Sequence, residues 1–142
     1  MKAATAYERR GKIYIHSDSK TTTGLWLLSE PVLSHPVEER GTIAESIRIA
    51  LNASHEGLPH PKIWTNLTAP LLEAAGVSSF NTFAKSTKCV SISSENGMIT
   101  LTPTRNGGTK TGFAHLNEQA IQLDEASDRL DGELMEAFAR SE

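Results

Sequence analysis

Apolar and polar side chains alternate near the start of the chain, as they do in half-buried β-strands. Ile13 and Ile15 would lie on one side of such a strand, and Tyr14 and His16 on the other. A short connection that contains glycine precedes this segment, which therefore predicts the second strand of a hairpin. We expect the two strands of that hairpin, and the connection between them, at residues 2–8, 12–16 and 9–11.

The next segments predict a turn, a third strand and a loop. Residues 17–20 read Ser-Asp-Ser-Lys, a composition typical of turns. Residues 24–29 follow, and their apolar run would place apolar side chains on both faces of a strand, so we expect a central strand. Pro31 and Pro36 then predict a loop over residues 30–41, because proline cannot donate a backbone hydrogen bond and restricts the residue before it.

Helix signals begin at Thr42, where Thr42 and Glu45 have the spacing of a capping box. Apolar or small side chains then recur at helical spacing and predict one buried stripe. The members of that stripe are Ile43, Ile47, Ala50, Leu51 and Ser54. Three further helices are predicted at residues 68–76, from Ser78 or Ser79 to residue 85, and at residues 127–140.

A second hairpin is predicted by Asn96-Gly97, which separates two alternating segments at residues 88–93 and 98–103. Residues 105–112 form a polar loop in this interpretation, and residues 120–123 add a short strand. Strands, helices, strands and a final helix therefore follow one another along the chain. This order predicts an α+β fold, in which helices pack on a mostly antiparallel sheet and residues 1–142 form a single domain.

Composition and charge then exclude several classes of function. The chain has 142 residues, of which 38% are hydrophobic and 22% charged, as in soluble globular proteins. Its net charge of −3 argues against a general nucleic-acid binder, which needs a basic face. No apolar run approaches the length of a membrane span. Cys89 is the only cysteine, so we expect a buried thiol and a reducing compartment such as the cytoplasm.

Motifs that carry catalytic or metal chemistry are not matched. His55 and His60 flank a glutamate but lie five residues apart, with Gly57 and Pro59 between them, whereas a helical zinc motif needs a spacing of four. We therefore predict no metal site, no cofactor and no catalytic residue. If the chain were an enzyme, the usable groups would be His16, Asp18, His55 and His60.

The C-terminal segment is distinctly acidic. Residues 124–142 carry a net charge of −5, whereas residues 1–123 carry +2. One interpretation is a solvated helix face, and the other is an acidic surface that docks a basic partner such as a nuclease. The candidate contacts are Asp124, Glu125, Asp128, Asp131, Glu133 and Glu136, with Glu38 and Glu39 as second choices.

Several segments together resemble one group of immunity proteins from bacterial contact-dependent growth inhibition systems, the CdiI family. The resemblance spans nearly the whole chain and rests on the following segments: Gly11-Lys12-Ile13-Tyr14-Ile15-His16-Ser17, Thr21-Thr22-Thr23-Gly24-Leu25-Trp26, Ala50-Leu51-Asn52-Ala53-Ser54 with Gly57 and Pro59-His60-Pro61, Pro70-Leu71-Leu72-Glu73-Ala74-Ala75-Gly76-Val77, the pair Phe80 and Phe83, and Pro103-Thr104-Arg105-Asn106.

The resemblance implies binding rather than catalysis. A CdiI protein lies in the cytoplasm and binds the C-terminal toxin domain of its cognate CdiA effector, which we expect to be a nuclease, ribonuclease A-like among the possibilities. One immunity protein would cover one toxin domain and protect the producing cell, with no direct contact to nucleic acid or membrane. The alternative is another small cytoplasmic protein-binding adaptor domain without enzymatic activity.

Overall fold

A mostly antiparallel sheet of eight strands organises the molecule. The computed structural model describes the backbone of residues 1–142 and all side chains except those of Arg40, Thr109 and Lys110. The strands are β1 (Lys2–Arg9), β2 (Lys12–Thr21), β3 (Trp26–Pro36), β4 (Glu56–Leu58), β5 (Lys88–Glu95), β6 (Met98–Asn106), β7 (Phe113–His115) and β8 (Ile121–Asp124). The α-helices are α1 (Ile43–Ala53), α2 (Ala69–Ala75), α3 (Phe80–Ala84), α4 (Gly108–Thr111) and α5 (Leu130–Arg140). Short 3₁₀-helices lie at Arg40–Thr42 and Asn117–Gln119.

The strands follow the order β3-β2-β1-β5-β6-β7 across the sheet. The short strand β8 pairs with β6 beside β7, and β4 pairs with the end of β2 in the one parallel pairing. All other pairs are antiparallel. These pairings confirm the α+β class and the mostly antiparallel sheet. None of the described helices is long and apolar enough to cross a membrane.

Helices α1 and α5 cover one face of the sheet. The predicted stripe of α1 is buried there, from Ile43 to Ser54. On α5 the buried residues are Leu130, Leu134, Ala137 and Phe138. Small and branched side chains of the central strands, such as Ala6 and Ile15, complete this core. The alternation of apolar and polar positions thus correctly identified this face of the sheet.

Helices α2 and α3 cover half of the opposite face, over an aromatic core. Its buried members are Tyr7, Tyr14, Leu71, Phe83 and Cys89. The hydroxyl of Ser79 accepts a hydrogen bond from the Thr82 amide, as expected at a helix start, and Gly76 ends α2 at a φ of 70°. Burial raises the pKa of the Cys89 thiol, so it stays protonated and unreactive at neutral pH.

The predicted hairpins both form, and their turns explain why. Asn96 and Gly97 have φ angles of 53° and 78°, which is the left-handed backbone that a two-residue hairpin turn requires. Arg10 and Gly11 adopt φ angles of 50° and 79° in the first hairpin. The strands are longer than the pattern indicated, because β2 runs on to Thr21 and β6 to Asn106.

The third strand is an edge strand, so the prediction of a central strand was wrong. Its apolar residues are only half-buried, although they occur on both faces. The predicted loop at residues 30–41 was also wrong in part, since β3 continues to Pro36. An edge strand tolerates proline because one of its sides needs no ladder partner. The pairing with β2 skips Glu30 and Pro31.

The predicted turn at residues 17–20 was wrong as well, because these residues lie within β2. Ser17 and Ser19 are buried on the face that α1 and α5 cover, and Asp18 lies on the opposite face. The Ser19 hydroxyl lies 2.8 Å from the Ser29 hydroxyl and 3.1 Å from Nδ1 of His55. Such hydrogen bonds let small polar side chains occupy buried strand positions, which a composition-based interpretation does not anticipate.

The capping box at Thr42 does not form. The Thr42 hydroxyl donates instead to the carbonyl oxygen of Glu39. The amide of Ala44 in the first turn of α1 donates to Oδ1 of Asp131 at 2.6 Å. A carboxylate from α5 therefore takes the role that the local motif was expected to fill.

Candidate functional site

The acidic contacts predicted in the C-terminal segment lie around β8 and α5, on the side of the molecule that α1 and α5 cover. Asp124 is the last residue of β8, Glu125 and Asp128 follow in the connection to α5, and all three are exposed. Among the described side chains, none of these three carboxylates has a cation within 4.0 Å. We name these three residues the acidic connection.

The remaining acids of α5 are largely engaged within the chain. Glu133 lies 3.4 Å from Arg129, and Glu136 lies 3.3 Å from Arg140, one helical turn away in each pair. Asp131 is half-buried and binds the first turn of α1. These contacts neutralise or occupy much of the charge that the C-terminal segment carries in the sequence. The acidic connection thus holds the exposed carboxylates of the segment that make no ion pair within the described residues.

Glu38 and Glu39 are exposed in the connection that leads from β3 to α1. The 3₁₀-helix that follows them contacts α5, so these residues belong to the same side of the molecule as Asp131. The structure therefore brings both predicted groups of acids to the side that α1 and α5 cover.

A second candidate site is a polar cleft on the opposite face of the sheet, beyond the aromatic core. It has a volume of about 420 Å³. Its lining residues are Met1, Ala3, Thr5, Asp18, Trp26, Ser91, Ile92, Ser93, Thr102 and His115. We name this site the polar cleft. Its floor is low because the strand positions at the centre of this region carry small side chains.

The floor follows directly from the strand register. Asp18 pairs with Ala3 across β1 and β2, and Ala3 pairs with Ser93 on β5. One step along, Thr5 pairs with Ser91, which pairs with Thr102 on β6. Paired residues in a sheet project to the same face, so these side chains form two adjacent rows. The rows place a carboxyl group beside several hydroxyl groups.

Asp18 is the only carboxyl group among the described residues that line the polar cleft. Its side chain is 15% exposed, and its Oδ2 accepts a hydrogen bond of 2.6 Å from the Thr5 hydroxyl. Burial raises the pKa of the Asp18 carboxyl group, against the opposing effects of His16 and of the Thr5 hydrogen bond. A carboxylate can accept about four hydrogen bonds, so Asp18 retains acceptor capacity toward the cleft.

His16 lies behind Asp18 and is 3% exposed. Its Nδ1 donates to the carbonyl oxygen of Ser17 at 3.0 Å and lies 3.5 Å from Oδ1 of Asp18. Its Nε2 is buried without a hydrogen-bond partner among the described atoms. Burial lowers the pKa of the His16 imidazole, against the opposing effects of the Asp18 carboxyl group and of the Ser17 carbonyl oxygen, so the neutral form of His16 is favoured at pH 7.

The other candidate chemical groups do not converge. His55 is exposed beside β2, and His60 lies 2.8 Å from the Thr23 hydroxyl, in a different environment from His16. Among the described residues, no group of three or more His, Cys, Asp or Glu side chains could hold a metal ion. The four groups considered for an enzyme are therefore not assembled into one site.

The sequence alone does not reveal the polar cleft, because residues 17–20 have the composition of a turn. A usable signal was nonetheless present. Small or hydroxyl-bearing residues recur with period two in β1, β5 and β6, where Ala3 and Thr5, Ser91 and Ser93, and Thr100 and Thr102 alternate with apolar residues. Once the strand order is known, these positions align into one polar area.

Comparisons with known proteins identify similar folds. No protein-family model and no curated protein sequence matches the chain. A protein of unknown function from Neisseria meningitidis has a TM-score of 0.81 and 15% sequence identity, over 99% of this chain and 95% of that one. A chain from a CdiA-CT/CdiI toxin and immunity complex of Yersinia pseudotuberculosis has a TM-score of 0.77 and 17% identity, over 99% and 97% of the two chains. The chain thus has the fold of both.

Proposed function

We propose that this chain is an immunity protein that binds and neutralises the toxin domain of a contact-dependent growth inhibition effector. The observation that carries the proposal is the likeness of its whole fold to a chain of a toxin and immunity complex. The resemblance of individual sequence segments to the CdiI family supports the same conclusion. The chain would act in the cytoplasm of the producing cell and would catalyse no reaction.

Neutralisation in this proposal is a matter of binding equilibrium. The immunity protein must cover the active site or the substrate path of one toxin domain and dissociate slowly. A specific interface of this kind buries about 1,200–2,000 Å². Nanomolar affinity corresponds to about 12 kcal/mol of binding free energy. Surface contacts suffice for this task, so the lack of an assembled set of catalytic groups among the described residues poses no difficulty.

A nuclease is the toxin class that the charge distribution favours. Its substrate is a polyanion, so its active site presents cationic groups. The acidic connection of Asp124, Glu125 and Asp128 offers the complementary charge on the immunity protein. Such complementarity accelerates encounter and orients the partners before they dock.

Co-expression with the neighbouring toxin tests the proposed function. The C-terminal domain encoded by the open reading frame directly upstream is produced with and without this chain in a sensitive bacterium. We expect the domain alone to stop growth, the pair to restore it, and the two chains to co-purify one-to-one. The adaptor alternative predicts no rescue. Failure of rescue at equal expression of the folded chain would refute the proposed function.

Charge reversal in the acidic connection tests how the partner is recruited. In the variant Asp124→Lys with Asp128→Lys, we expect association with the toxin domain to slow roughly fivefold at low salt, because steering toward a basic surface is lost. Stopped-flow kinetics at several salt concentrations measure this effect, and the salt dependence should weaken. Asp131 is left unchanged because it binds α1. Lys replacements at Glu73 and Glu118 provide a control with equal charge change. Equal slowing by both variants would contradict a docking role.

A further inference from the structure

The polar cleft combines a carboxyl group with several hydroxyl groups and an aromatic side chain. The Asp18 carboxyl group receives one side-chain hydrogen bond, from Thr5. The proton on Nδ1 of His16 is directed to the Ser17 carbonyl oxygen instead. The hydroxyl groups of Ser91, Ser93 and Thr102 line the same cleft and can accept further hydrogen bonds. The cleft therefore offers one carboxylate and several hydroxyl oxygens as hydrogen-bond acceptors.

Trp26 is the aromatic residue of β3 that lines the polar cleft. Asp18 pairs with Leu28 and Lys20 pairs with Trp26, so Trp26 is the diagonal neighbour of Asp18 on the same face. Diagonal neighbours lie about 7–8 Å apart, which is within reach of an aromatic side chain, so a planar group bound at Asp18 would meet the indole ring. The half-buried indole face attracts cations.

Lys20, the lysine nearest to Asp18 along β2, contacts a different carboxylate. Lys20 follows Asp18 by two residues, yet its ammonium group lies 3.9 Å from the Glu56 carboxylate on β4, and Lys20 does not line the cleft. The neutral form of His16 is favoured at pH 7. Apart from His16, whose Nδ1 lies 3.5 Å from Oδ1 of Asp18, no cationic group among the described side chains lies within 4.0 Å of this carboxyl group, and the cleft has space for one.

We propose that the polar cleft receives an arginine side chain of the partner, with Asp18 as the anionic contact, Trp26 as the stacking surface and the hydroxyl groups as additional acceptors. Arginine fits these features because its planar guanidinium has five donors and stacks on aromatic rings. This inference rests on the proposed function only in that it assigns the arginine to the toxin domain. The chemistry of the cleft itself can be tested without any toxin.

The first experiment uses N-acetyl-arginine amide as the probe and N-acetyl-citrulline amide as its uncharged match. Both are titrated into the isotope-labelled full chain, and the indole N–H resonance of Trp26 is followed, with Trp64→Phe used to assign it. We expect a saturable shift with the arginine derivative alone. The shift should disappear in Asp18→Asn and persist in Glu73→Gln, a matched change outside the cleft. The absence of a saturable shift, or equal shifts with the citrulline derivative, would overturn the assignment of the cleft.

The second experiment uses the toxin domain encoded directly upstream. We expect Asp18→Asn to increase the dissociation rate of the complex at least tenfold, and Glu73→Gln to leave it unchanged. Asparagine keeps an oxygen acceptor for the Thr5 hydroxyl, so the variant should fold, and a thermal melt verifies this. Wild-type dissociation kinetics in Asp18→Asn would refute a toxin arginine in the cleft. No binding by the wild-type chain would refute the proposed function. The probe titration would still decide whether the polar cleft binds an arginine side chain.

Discussion

Replacing Phe83 with alanine is expected to lower the free energy of unfolding by about 3–5 kcal/mol, because its side chain joins the helices of one face to the sheet. Phe83 is fully buried. Its ring centroid lies 5.0 Å from that of Tyr7 and 5.6 Å from that of Tyr14, both in edge-on arrangements. The guanidinium of Arg9, itself 6% exposed, lies 5.7 Å from the same ring and would lose this contact.

Phe80 provides the control for this prediction, since it is the same residue type on the same helix but only half-buried. Urea unfolding of both alanine variants measures the effect. We expect Phe80→Ala to lose less than half as much stability as Phe83→Ala, with unchanged dependence on denaturant for both. An equal or larger loss in Phe80→Ala would show that the half-buried Phe80, and not the fully buried Phe83, contributes most to the packing of α3 on the sheet.

Acidification is expected to destabilise the protein through His16. Burial depresses the pKa of His16 in the folded state, so its stabilising contribution is complete above the unfolded value of about 6.5 and is lost as the pH falls toward the folded pKa. The unfolding free energy should therefore decrease as the pH falls below about 6.5, by at most about 1.4 kcal/mol per pH unit. Asp18 has the opposite sign, since burial raises its pKa, and its contribution is lost as the pH rises through the folded value.

The variant His16→Asn isolates the imidazole contribution. Denaturant unfolding at several pH values should give a flatter pH dependence for this variant than for the wild-type chain. His115→Asn removes an exposed histidine from β7 and should leave the slope unchanged. If His16→Asn kept the full wild-type slope, the destabilisation would have to come from other groups.

The sequence predicted the elements whose signals are local. The stripe from Ile43 to Ser54 lies along α1 and ends at its C-cap. The turn at Asn96-Gly97 depends on the backbone freedom of two adjacent residues. Each of these features is decided by residues a few positions apart. The α+β class followed from the order of such elements.

Features that depend on distant partners were not predictable in the same way. The carboxylate that binds the start of α1 is Asp131, 87 residues away from Ala44. The edge position of β3 depends on the order of all the other strands, although its apolar run is typical of a central strand. The polar cleft depends on the register of four strands, so it became visible only when Asp18, Thr5, Ser91 and Thr102 were aligned.

The two prolines of β3 limit which strands can pair with the outer edge of the sheet. A long outermost strand with free amide groups is a template on which another copy of the same chain can pair and start a fibre. Pro31 and Pro36 have no amide hydrogen to offer, and the register break beside Pro31 interrupts the spacing that a continuous ladder needs. On the far side, β7 and β8 have three and four residues, too few to nucleate long pairing. Both edges of the sheet therefore disfavour backbone pairing with another copy of the chain.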